Sequence, residues 1–141
     1  HGVRVVEFQT PTFERHIISS SQKVVTQDRW DSAAAIARMQ LEPVTEVDFQ
    51  AIAPGVERIV TFDDFAVWRV ELDAGSETSI PEDVPYAVCM VITGEVDVVA
   101  GGMAVSLVAE RAAFVPGSAP AKKLVNRQPQ AAICLVAAPG L

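Results

Sequence analysis

The chain has 141 residues, half of them hydrophobic, with 11 basic residues against 18 acidic ones and a formal net charge of −7. That length suits one well-buried domain plus a short extra segment. A pI of about 4.7 excludes the basic face of a dedicated nucleic-acid binder, and no apolar run reaches the ~18 residues of a membrane-spanning helix.

The chain opens on His1-Gly2 and enters a strand pattern at once, with neither an initiator methionine nor a charged-then-apolar leader. Such an abrupt opening is expected of a chain whose upstream part is missing. Val3 to Gln9 mixes β-branched and polar residues and predicts a strand; after the Thr10-Pro11-Thr12 break, Phe13 to Ser19 predicts a second. Ser20 to Gln27 is polar. Asp31 is placed as an N-cap for a helix over Ser32–Met39, which Pro43 stops.

Beyond Pro54-Gly55 the segments are short. Strands are expected over Glu57–Phe62, Phe65–Leu72, Tyr86–Ile92, Glu95–Ala100, Met103–Val108, Ala112–Val115, Lys122–Val125 and Ala131–Ala137. Turn chemistry separates them, as at Thr93-Gly94 and Gly101-Gly102. About eight short strands spaced this way indicate an all-β jelly roll or sandwich, not a parallel α/β sheet. Residues 55–141 form the expected barrel and residues 1–54 an extension of two strands and a helix. That extension cannot easily bury its own core, so a homodimer is expected. Cys89 and Cys134 lie in apolar strand patterns and read as buried reduced thiols, which points to the cytoplasm.

One stretch carries a recognisable signature. From Gly75, five residues lead to Pro81, then come Asp83 and Ala87, and six more residues lead to Gly94; Phe114-Val115-Pro116-Gly117-Ser118-Ala119-Pro120-Ala121 follows later. The spacing resembles the two-part cupin motif, which implies a double-stranded β-helix barrel. The family's metal ligands are histidine, histidine, glutamate and a later histidine, and here those places hold Pro81, Asp83, Ala87 and Ala121.

Further residues resemble the C-terminal portion of type I mannose-6-phosphate isomerases. They are the segment Val5-Val6-Glu7-Phe8-Gln9-Thr10-Pro11-Thr12-Phe13-Glu14-Arg15 and the stretch Phe62-Asp63-Asp64-Phe65-Ala66-Val67-Trp68-Arg69-Val70 through Gly94 to the last strand. The resemblance implies a metal-free terminal barrel, with Phe13 and Arg15 in the places of an aromatic and an arginine facing a sugar phosphate; here Glu14 separates them. Zinc is implied only for an upstream domain, so this chain alone is expected to be inactive. The alternative is a stand-alone metal-free cupin that binds a small ligand or mediates dimerisation.

Arg15 is the first candidate for contact with a sugar phosphate, because a planar guanidinium suits bidentate recognition; a solvated arginine paired with Glu7 or Glu14 is the plainer alternative. Glu7 and Gln9 share one strand face and line a pocket only if a further domain is present. Lys122 and Lys123 form a possible small-anion site at the barrel mouth, against the reading of a solvated edge-strand pair. His16 has no second histidine at ligand spacing, His1 lies too close to its strand, and Asp83 with Glu77 and Glu82 offers at most a weak hard-cation site. Trp30, Trp68 and Tyr86 read as core or interface aromatics.

Overall fold

The computed structural model describes Gly2, residues 5–8, 32–37, Met39, Glu42 and residues 49–139. The chain divides into two compact units, His1–Val47 and Asp48–Leu141. In the first unit, Ser32–Ala37 forms one short helix, α1, in its run of alanines. Residues 5–8, expected within a strand, carry no strand in the structure. The expected strand over Phe13–Ser19 and the N-cap Asp31 lie outside the described residues.

The described residues of the second unit form ten strands: β1 Gln50–Ala53, β2 Val56–Thr61, β3 Phe65–Leu72, β4 Glu77–Ser79, β5 Tyr86–Thr93, β6 Glu95–Ala100, β7 Met103–Val108, β8 Ala112–Pro116, β9 Lys123–Val125 and β10 Ala132–Pro139. They make a six-stranded sheet in the order β1-β2-β3-β10-β5-β8 and a four-stranded sheet in the order β4-β9-β6-β7. Every pairing between them is antiparallel.

Alternation builds the core. Ala66, Trp68, Val70 and Leu72 of β3 are buried on the same face as Ala132, Cys134, Val136 and Ala138 of β10 and Ala87, Cys89 and Val91 of β5. Val96, Val98, Leu107 and Leu124 of the smaller sheet join them in one cluster, so the two sheets pack face to face over an apolar interior. Each fully buried Val or Leu contributes about 1.5–3 kcal/mol relative to exposure.

Two expected boundaries shift for physical reasons. β1 belongs to the barrel sheet through its pairing with β2, although the sequence boundary assigns residues up to 54 to the extension. The β1–β2 turn needs Gly55, whose φ is 71° and which lies so close to Glu71 O that a Cβ would overlap it. Strand β9 begins at Lys123, because Ala121 turns into the left-handed region at φ 52° just before it.

Candidate functional site

The two halves of the glycine-rich signature meet at one edge of the barrel. The loop after β4 is held to the segment before β9 by Ile80 N donating to Lys122 O at 3.1 Å. Gly117 N, after β8, donates to Pro85 O at 2.8 Å, before β5. A Cβ on Gly117 would overlap the Val84 and Pro85 carbonyl oxygens, so glycine is required by close backbone approach. The Lys122 side chain completes the junction: its Nζ donates to Glu82 O at 3.1 Å and to Gly117 O at 3.2 Å.

Lys122 is therefore not the solvated edge residue expected from sequence. It is 3% exposed and spends its donors on two carbonyls. Lys123, the next residue, points to the opposite side of the strand and pairs with Glu77 at 2.7 Å. Strand alternation thus separates the two ammonium groups, and no joint anion site forms from them.

The positions that would carry a metal do not fit one. Pro81 has no donor side chain, Asp83 is exposed, Ala87 is buried among apolar residues and Ala121 is an exposed turn residue. No group of three histidine, cysteine, aspartate or glutamate side chains that could hold a metal occurs among the described residues. Cys89 and Cys134 are the buried soft donors inside the barrel, and both are free thiols. Burial pushes each up to about 12, with Cys134 adding a smaller rise to Cys89, so neither supplies a thiolate near neutral pH.

What the interior offers instead is a cleft of about 360 Å³ between the inner face of the larger sheet and the β4 loop. Its walls are mostly apolar, with Ile52, Val56, Trp68, Val70, Ile80 and Val136, while Thr78, Ser79 and Glu82 supply polar groups. Such a volume lies in the range of small-molecule pockets, at its lower end. Arg58 lines a separate, more polar groove with Gln50, Ile59, Val60 and Thr61. Its strand partner is Trp68, as Val56 is that of Val70, so Arg58 faces the same inner side as these cleft residues. Arg58 Nε donates to Gln50 Oε1 at 3.1 Å, and Nη2 contacts the same oxygen. Sequence reading passed over Arg58; the only available signal was its place in the expected strand Glu57–Phe62.

Asn126, also passed over, is fully buried. Its Nδ2 donates to Leu72 O, Asp73 O and Gln130 O, and its Oδ1 accepts from Gln128 N. It ties the end of β3 to the turn before β10. Of the other candidates, Glu7 is exposed and has no hydrogen bond or ion pair among the described residues. Arg15, Gln9, His16, His1, Phe13 and Trp30 lie outside the described residues. Trp68 is a core residue, and Tyr86 stacks on Phe114 at 5.3 Å on the outer face of the larger sheet.

Several solved structures share this arrangement of two sheets. An RmlC-like cupin from Shewanella frigidimarina aligns with a TM-score of 0.57 at 19% identity, over 73% of this chain and 92% of that one. The barrel has the cupin fold. A sugar phosphate isomerase of the cupin superfamily from Silicibacter pomeroyi aligns at 0.52 with 22% identity, over 62% of this chain and 61% of that one. The cupin domain of an XRE family transcriptional regulator from Enterobacter cloacae aligns at 0.53 with 17% identity, over 59% and 92%. No protein-family profile and no curated protein matches the sequence. The chain shares the barrel fold with those proteins, and its residues at the ligand positions of the cupin motif are Pro81, Asp83, Ala87 and Ala121.

Proposed function

We propose that this chain is a metal-free cupin whose barrel binds a small molecule and performs no chemistry on it. The observation that carries this reading is the replacement of the signature's ligand positions by Pro81, Asp83, Ala87 and Ala121, next to an apolar cleft of about 360 Å³. An aldose–ketose isomerisation needs a group to polarise the substrate oxygens and a base to move the proton. The described interior supplies thiols held protonated by burial and no imidazole. A homodimer and a cytoplasmic location belong to the same proposal, the latter supported by two free buried cysteines. No described helix is long and apolar enough to cross a membrane.

The second reading is that the chain is the terminal part of a sugar-phosphate isomerase resembling the type I mannose-6-phosphate isomerases. It is supported by the resemblance of Phe62–Val70 and of the glycine signature. The Silicibacter pomeroyi protein, itself a sugar phosphate isomerase, shares the fold, which is compatible with either reading.

A thermal-shift series separates the two. Small apolar organic probes raising the midpoint, with no response to mannose 6-phosphate with or without zinc, is the result expected. A response to mannose 6-phosphate alone moves the assignment to the second reading. Stoichiometric zinc in the purified protein by elemental analysis overturns the metal-free proposal.

A further inference from the structure

We propose that two copies of this chain meet through the outer face of β5, β8 and β10. This gives the homodimer its surface and rests on that part of the reading above. Antiparallel sheets commonly bury one face and turn polar residues to water on the other. The smaller sheet follows that rule: Glu95 accepts from Ser106, Asp97 meets Arg127 and Lys123 meets Glu77 on its outer side. The larger sheet breaks it. Strands β5, β8 and β10 contain no charged residue at all.

Register lays the outward side chains in rows. Ala137, Val88 and Phe114 stand side by side across the three strands, as do Leu135, Met90 and Ala112. Their chain neighbours Cys89, Val91, Val115, Cys134 and Val136 are buried in the core, so alternation turns the rows away from it. Phe114 is 64% exposed and Tyr86 41%, with the two rings stacked at 5.3 Å. The second row ends at Arg69 of β3, opposite Leu135, and there a charged rim begins with Glu57 and Glu71. An apolar patch with a polar rim is the form of an interaction site.

Charge selects the occupant. Two copies of a chain of net charge −7 repel each other, and a two-fold contact sets each surface against itself. Only a face without carboxylates meets its own copy at no electrostatic cost. An anionic membrane needs a basic border, and on the β3 side the one arginine already lies between two glutamates. Size is consistent with this. Three strands about 4.8 Å apart and seven residues about 3.4 Å apart span roughly 330 Å². A margin of one strand spacing on every side brings this to roughly 800 Å², the area each partner of a standard complex buries. Sheets packed this way lie about 10 Å apart with their side chains interdigitated.

Sedimentation velocity of the full chain over a range of micromolar concentrations tests this, with circular dichroism reporting that each variant is folded. The unaltered chain is expected to sediment as a dimer. Phe114→Glu, which places a carboxylate on the face of each copy, is expected to weaken self-association at least about thirtyfold, the margin of one hot-spot aromatic. Tyr86→Glu acts in the same direction. Val105→Glu, at an exposed position of β7 away from this face, is expected to leave the dimer intact. A dimer that survives both Phe114→Glu and Tyr86→Glu, or that is lost in Val105→Glu, overturns the assignment of the face and leaves the homodimer standing. A single-chain mass for the unaltered protein overturns both, and binding of that monomer to phosphatidylcholine vesicles gives the face to a lipid surface instead.

Discussion

Replacing Asn126 by alanine tests whether this barrel depends on one buried amide. The side chain satisfies three carbonyls, at 3.0 Å from Leu72 O, 3.1 Å from Asp73 O and 2.7 Å from Gln130 O, and accepts from Gln128 N at 2.9 Å. The residue is 0% exposed, and no buried side-chain polar atom is left without a partner among the described residues. Asp73 O keeps Ser76 N and Ser76 Oγ as donors, so alanine orphans up to three backbone groups at about 1 kcal/mol each, a total of roughly 2–3 kcal/mol. Against a typical domain stability of about 5–15 kcal/mol, that is a large share. For a domain near 100 residues it lowers the thermal midpoint by roughly 8–24 °C. Urea unfolding followed by tryptophan fluorescence, which reads the buried Trp68, measures it directly. Asn126→Asp is the sharper variant, since it keeps the acceptor for Gln128 N but turns an oxygen toward three carbonyl oxygens. A loss below about 1 kcal/mol for Asn126→Ala, or unchanged stability for Asn126→Asp, would refute the reasoning.

Gly117→Ala forces a methyl group against the Val84 and Pro85 carbonyls and is expected to cost roughly 1–3 kcal/mol, seen as a lower urea midpoint; an unchanged midpoint contradicts the close approach. The cysteines set an alkaline limit. Burial raises them to about 12, above the ordinary thiol value of 9.0, so the protonated thiols favour the folded state. That stability is complete below about 9 and is lost as pH rises from there toward 12. The Cys89→Ala, Cys134→Ala double variant should flatten this part of the stability–pH curve; an unaltered slope refutes it. Native thiols at pH 8 should resist alkylation, and rapid labelling without unfolding argues against their burial. Sedimentation at micromolar concentration is expected to give the mass of two chains, and a single-chain mass removes the homodimer from the proposal.

Much of the barrel was legible in local pattern. Strands β3, β6 and β7 occupy the residues expected from alternation and turn chemistry, and Gly75, Gly94 and Pro116-Gly117 mark the signature. Strands β1 and β4 were not legible. All four residues of β1 are exposed, so it shows no alternation, and β4 has three residues whose strand character comes from pairing with β9. The expected solvated pair at Lys122 and Lys123 failed for a related reason, since the sequence shows two adjacent lysines but not which side of the strand meets the protein.

By itself, the sequence determined the fold class and the lack of imidazole at the ligand positions, because both depend on residue identity and local spacing. Only the tertiary structure decided that Lys122 ties the two halves of the signature, that Asn126 closes the end of β3, and that Arg58 stands opposite Trp68. The bulge between Arg58 and Val60 shows why: a shift of one residue reverses which side chains face inward, and the register across β2 and β3 is set by contacts far apart in the chain.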